Sequence, residues 1–162
     1  MKVLRSRLFV LLSTLCVLGC GLSLLEAQAQ DENYVAYRQR LMTGHGASMG
    51  SIGDILKYKL DFSPMHIEIH AKNIHEYAKL IPDAFKKEIT AGANDAKPEI
   101  WKNWDDFTAK AKALEAEAGK LATVAAGGDM AAMMPQVKAT GDACRSCHDA
   151  YRKPKEESYK SK

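Results

Sequence analysis

The chain has 162 residues, of which 46% are hydrophobic, 27% charged and 7% aromatic, with a formal net charge of +3. That length suits one domain built on one hydrophobic core. A charge this close to neutral gives no case for nucleic-acid binding, and no catalytic triad, phosphate-binding glycine loop or paired-carboxylate site argues for an enzyme.

At the N-terminus, Lys2, Arg5 and Arg7 precede an apolar run from Leu8 to Leu25, and Ala27-Gln28-Ala29 supplies a small-x-small cleavage site. This is the pattern of an export signal over residues 1–29, which sends a mature chain beginning at Gln30 to the periplasm. Val17-Leu18-Gly19-Cys20 loosely resembles a lipoprotein box, the alternative in which an acylated Cys20 holds the protein on a membrane. The apolar run is also almost long enough for a retained anchor helix. Cleavage after Ala29 is the cleaner match. It removes Cys16 and Cys20, so that Cys144 and Cys147 are the cysteines left, and it leaves 133 residues with a net charge of +1.

From Val35 onward, residues 35, 38, 42, 45, 49, 52 and 56 recur at spacings of three and four, the signature of a long amphipathic helix. The stripe reads Val35, Arg38, Met42, His45, Met49, Ile52 and Leu56, and its Arg38 and His45 ask for a polar partner on an inward face. Gly46, Gly50 and Gly53 each cost about 1 kcal/mol of helix propensity relative to alanine. Close approach by a neighbouring helix or a flat cofactor would explain them. Ser63-Pro64 starts a second helix that ends near Pro82, with Ile67, Ala71, Ile74, Ala78 and Ile81 as its core stripe.

A polar loop with Gly92, Asn94 and Asp95 leads to Pro98, which opens a third helix carrying Ile100, Trp104, Phe107, Ala111, Leu114, Ala118, Leu121 and Ala125. Gly127-Gly128 ends it. Asp129 then caps a fourth helix whose inward face is expected to be Met130, Met133, Val137, Gly141, Cys144, His148 and Tyr151. The charged segment 153–162 after it reads as a frayed, flexible tail. With no strand pattern and short connections, the expected fold is all-α, an antiparallel up-down-up-down four-helix bundle over residues 30–152.

Cys144-Arg145-Ser146-Cys147-His148 is a C-x-x-C-H box, the attachment signature of c-type haem. Two thiols one helical turn apart add to the haem vinyl groups, and the adjacent imidazole reaches iron from the same side. A C-x-x-C alone could be a redox dithiol, or half of a zinc site completed by His66 and His70. The following histidine, the export signal and the lack of a βαβ pattern favour one covalently attached haem c near the C-terminus of the fourth helix.

Three segments together resemble the cytochrome c prime family, the class II c-type cytochromes. They are Val35-Ala36-Tyr37-Arg38-Gln39, Pro98-Glu99-Ile100-Trp101, and Cys144 through Arg152. The resemblance runs from about Tyr34 to Arg152. It implies that Cys144 and Cys147 form the thioethers, that His148 is the proximal ligand, that Arg38 contacts a haem propionate, and that Arg152 lies beside the proximal side of the haem. It also implies that Met42 occupies the distal position facing the iron, where many members carry a non-ligating apolar residue. A thioether there is a soft iron ligand that raises the reduction potential, and the sequence is similar in this respect to the low-spin cytochrome c-556 branch. The implied function is single-electron transfer between redox partner proteins, as a monomer or homodimer. In the alternative, Met42 is core filler and the haem is a five-coordinate site for nitric oxide or carbon monoxide.

Overall fold

In the computed structural model, side chains are described for residues 26–58, 60–61 and 63–161. The export-segment features up to Leu25, with Cys16 and Cys20, lie outside the residues so described. Among the described residues six α-helices follow one another: α1 (Lys2–Tyr58), α2 (Pro64–Lys79), α3 (Ile81–Phe85), α4 (Glu99–Lys102), α5 (Trp104–Ala126) and α6 (Met130–Tyr151). The chain divides into two compact units, Met1–Tyr34 and Val35–Lys162, and the bundle belongs to the second.

Local chemistry sets the helix ends. Ser63 is extended (φ −69°, ψ 157°) and Pro64 occupies the first turn of α2, where its missing N–H costs nothing. Pro82 sits in the first turn of the short α3. The third helix, expected to be continuous from Pro98, is broken at Asn103 (φ −123°, ψ 47°) into α4 and α5. The Glu99 carbonyl accepts both the Asn103 backbone N–H at 3.0 Å and its side-chain Nδ2 at 3.2 Å, which closes the last turn of α4 at the break. At the start of α6, the Asp129 carboxylate accepts from Ala131 N at 2.9 Å and Ala132 N at 3.2 Å, an N-cap worth about 1 kcal/mol.

Contacts between helices fix their directions. Arg38 on α1 reaches the Ala84 carbonyl while His45, further along, meets Tyr77, so α1 and α2 run antiparallel. His75 Nδ1 donates to the Glu115 carbonyl at 2.9 Å, which sets α2 against α5, and Trp101 Nε1 on α4 donates to the Phe85 carbonyl of α3 at 2.7 Å. Gln136 bonds Glu117, Lys110 bonds Ser146 and Tyr151 bonds Asp106, which reverses α6 relative to α5. The fold is thus the expected antiparallel four-helix bundle of α1, α2, α5 and α6. Among the described residues no strand forms, and one isolated antiparallel bridge joins Ala96 to Arg152.

The core is built from Ile52, Ile67, Ile74, Ile100, Leu121 and Met133, all essentially inaccessible to solvent, with alanines 71, 111, 118 and 125 buried among them. On α1 the buried line is Val35, Arg38, Leu41, His45, Ser48, Ile52 and Ile55. The expected stripe had Met42, Met49 and Leu56 in place of Leu41, Ser48 and Ile55. Those three are half-buried beside the buried line, because the inward face is wider than one seam and Met42 and Met49 border a cavity. Met130, expected inward on α6, is exposed, whereas Thr140 is fully buried and donates to the Gln136 carbonyl at 2.9 Å.

The segment after α6 also departs from expectation. Residues 153–161 form two single 3-10 turns, Lys155–Glu157 and Tyr159–Ser161, rather than a frayed tail, and Ser158 is buried. Net composition suggested disorder; a specific acceptor, Asp95, orders the segment instead.

Candidate functional site

Helix periodicity sets Cys144, Cys147, His148 and Tyr151 on one face of α6, because residues three, four and seven apart share a side. That face borders a cavity of about 650 Å³, within the roughly 300–1,000 Å³ typical of cofactor clefts. From α1 come Val35, Arg38, Met42, His45, Gly46 and Met49; from α6 come Cys144, Cys147, His148 and Tyr151. The expected residues Arg38, Met42, Cys144, Cys147, His148 and Arg152 therefore converge on one cavity.

Cys144 and Cys147 are half-buried free thiols. Burial pushes the Cys144 thiol up, and pushes Cys147 up to about 11, with nearby Lys110 opposing and Cys144 and Asp106 reinforcing the rise. A redox dithiol needs the opposite, a nucleophile of lowered pKa. His66 hydrogen-bonds to Ser63 at the start of α2, and among the described residues no group of three or more His, Cys, Asp or Glu side chains is gathered to hold a metal ion. His148 is accessible to solvent, and desolvation, then the Arg152 charge and His45, lower its pKa. A neutral imidazole is the form that ligates iron.

Two polar residues on α1 are satisfied in different ways. Arg38 is 3% exposed, and its guanidinium donates to the carbonyls of Ala84 (2.8 Å), Lys87 and Ile89 (3.5 Å). It also lies over the rings of Phe85 (4.7 Å) and Trp101 (5.7 Å). Its charge is thus held by the turn after α3, a partner that the sequence did not reveal, while the residue still borders the cavity.

His45, 7% exposed, donates from Nδ1 to the Leu41 carbonyl at 2.9 Å, and burial lowers its pKa. Its Nε2 is buried without a hydrogen-bond partner. An orphaned acceptor on the wall of a largely apolar cleft is a feature that a bound group would complete.

The aromatic floor is a run of tilted and edge-on contacts. Phe107 lies 5.3 Å from Phe85, 5.6 Å from Trp104 and 5.4 Å from Tyr151 between ring centroids. Tyr151 donates to Asp106 at 2.6 Å, and burial together with that bond pushes its hydroxyl up to about 12. Phe85, Phe107, Asn94, Asp95, Tyr159 and Lys160 all border the cavity, although the sequence marked none of them as a site residue. For Asn94 a local signal existed: Ala96 N donates to its side chain at 3.0 Å, an Asx turn readable from composition. Tyr159 and Lys160 gave none.

Gly46 and Gly50 lie along the cavity, but a methyl group added at 46, 50 or 53 would touch nothing within 4 Å. No helix approaches closely at those glycines. The close approach is at Gly44, where such a methyl would sit 2.7 Å from the Tyr77 ring.

The residues present fit a covalently attached haem: paired thiols, an adjacent imidazole, an apolar and aromatic cleft of cofactor size, and an unpartnered buried acceptor on its wall. Known proteins agree with this geometry. The family model described as Cytochrome C' matches residues 33–152. A cytochrome c' of Rhodospirillum rubrum is 36% identical over 129 residues, covering 78% of this chain and 86% of that one. A cytochrome c-556 of Agrobacterium tumefaciens is 34% identical over 119 residues, covering 73% and 95%. Among solved structures, a nitric oxide complex of a cytochrome c prime variant from Alcaligenes xylosoxidans is similar, with a TM-score of 0.68, 30% identity and coverage of 76% of this chain and 97% of that one.

Proposed function

The chain belongs to the cytochrome c' family, whose cofactor is covalently attached haem c, and from that premise we propose that it is a periplasmic electron carrier with His148 and Met42 as the axial ligands of the iron. The haem supplies a one-electron redox couple. Cys144 and Cys147 would hold it through thioethers, and His148 on α6 and Met42 on α1 would supply the protein ligands to its iron. The observation that carries this reading is that Met42, one helical turn after Arg38, borders the same cavity as the two thiols and His148; Met49 borders it too and is likewise half-buried, but lies two turns further along α1 from Met42.

The other residues serve the redox centre without reacting. Phe85, Phe107 and Tyr151 exclude water from the ring, and a drier site favours the less charged ferrous state. Arg38 brings positive charge to the cavity, with the same direction of effect, and Arg152 borders the His148 side. Export fits the N-terminal signal pattern, and among the described residues no helix is long and apolar enough to cross a membrane. Redox partner proteins would dock near the cofactor edge, with the carrier acting as a monomer or homodimer.

A second reading is a five-coordinate haem that binds nitric oxide or carbon monoxide. It is favoured by the relative solved as a nitric oxide complex, and by the length and flexibility of a methionine, which can occlude a site without ligating. Met42→Ala separates the two. If Met42 ligates, the variant changes from a low-spin spectrum with sharp α and β bands to a high-spin spectrum that binds carbon monoxide readily. An unchanged low-spin spectrum contradicts the assignment and makes His45 the next candidate.

A further inference from the structure

The family match ends at residue 152, yet the chain past that point turns back onto the site. Asp95, in the loop before α4, holds it by every acceptor it has. Its carbonyl accepts from Lys153 N at 2.8 Å, one carboxylate oxygen accepts from Ser158 Oγ at 2.9 Å, and the other accepts from Tyr159 N at 3.0 Å. Lys153 Nζ adds a bond to the Asn94 carbonyl at 3.1 Å, and Ser161 Oγ closes the last turn on the Ser158 carbonyl at 2.7 Å. Ser158 is 4% exposed as a result.

This fastening brings Tyr159 and Lys160 to the wall of the same cavity, which Arg38 and Arg152 also border. The Lys160 ammonium lies 5.7 Å over the Tyr159 ring. The nearby carboxylate, Asp95, is already engaged on both oxygens. Arg152 Nε stands 3.7 Å from an Asp95 carboxylate oxygen and the Arg38 guanidinium is held by the carbonyls of Ala84, Lys87 and Ile89, whereas Lys160 on the cavity wall makes no ion pair among the described residues; a cation so placed suits a ligand carrying carboxylates, and the rim of a haem carries two propionates.

We propose that residues 153–161 are part of the haem site, with Asp95 as the fastening, Tyr159 covering the cofactor edge and Lys160 pairing with a propionate. This rests on the haem reading above. A cation near the ring disfavours the more positive ferric state, and a covered edge keeps water away; both raise the reduction potential.

The test is a redox titration of the purified holoprotein as wild type, as a truncation after Pro154, and as Lys160→Gln and Lys160→Arg, with covalent haem per chain measured on each. The truncation and Lys160→Gln lower the midpoint potential, Lys160→Arg restores it, and the Lys160→Gln difference shrinks at high salt. Lys160 is exposed, so its replacement leaves the fold intact even if the truncation does not. One haem per chain with wild-type potentials throughout overturns the proposal and leaves the haem reading standing. A lowered potential in the truncation alone overturns the Lys160 pairing, and a wild-type protein without covalent haem overturns both the proposal and the reading beneath it.

Discussion

An imidazole sealed inside a helical bundle resists protonation, and His45 is such a group: burial lowers its pKa against the opposing pull of the Leu41 carbonyl. In the unfolded chain the same ring takes up a proton near its ordinary value of 6.5. The unfolded state therefore binds more protons than the native state as pH falls through that value, and stability drops by up to about 1.4 kcal/mol per pH unit for one such group. His45→Gln should flatten this acid limb, measured by denaturant unfolding of the holoprotein between pH 7.5 and 5; an unaltered slope would mean that the ring is free to protonate in the native state. His45 was legible in sequence as a polar residue on an inward stripe. Its acceptor four residues back was predictable from helix geometry, and its unpartnered Nε2 was not, since that depends on what the other helices bring near it. Arg38 shows the same limit: its burial followed from the stripe, but the carbonyls of 84, 87 and 89 that hold it lie some fifty residues away.

At the scale of the elements, the glycines of α1 separate propensity from packing. Gly44 faces the Tyr77 ring, where a methyl group would arrive at 2.7 Å, while Gly53 faces open space. Gly44→Ala should lower the thermal midpoint because the ring must shift, and Gly53→Ala should raise stability by about 1 kcal/mol through helix propensity alone. Thermal unfolding of the two variants checks this, and equal effects would contradict it. Helix starts at Ser63-Pro64 and Asp129 were readable because caps are local chemistry. The break at Asn103 was not, because Ile100, Trp104 and Phe107 keep helical spacing straight across it. The ordering of residues 153–161 was equally hidden, since a lysine-rich composition says nothing about a carboxylate at 95 waiting to receive it.

For the whole molecule, the bundle and the cofactor are one energetic system. A group held only by the folded protein stabilises it, and a covalent attachment keeps that group at hand. Replacing both Cys144 and Cys147 with serine should abolish covalent haem, seen as loss of the Soret band after acid-acetone extraction, and should lower the thermal midpoint of the bundle; retained haem would contradict the assignment of the thioethers. The four-helix order was legible because its stripes and breakers are periodic. The α1 wall of the cavity was legible as the stripe Arg38, Met42, His45 and Met49, of which Met42 is the residue on which the proposed electron-transfer role depends. Its most direct test is the absorption spectrum of the reduced wild-type protein before and after exposure to carbon monoxide. With His148 and Met42 both on the iron, the spectrum is low-spin with sharp α and β bands and carbon monoxide changes it little; a high-spin spectrum that shifts at once on adding the gas would contradict the account.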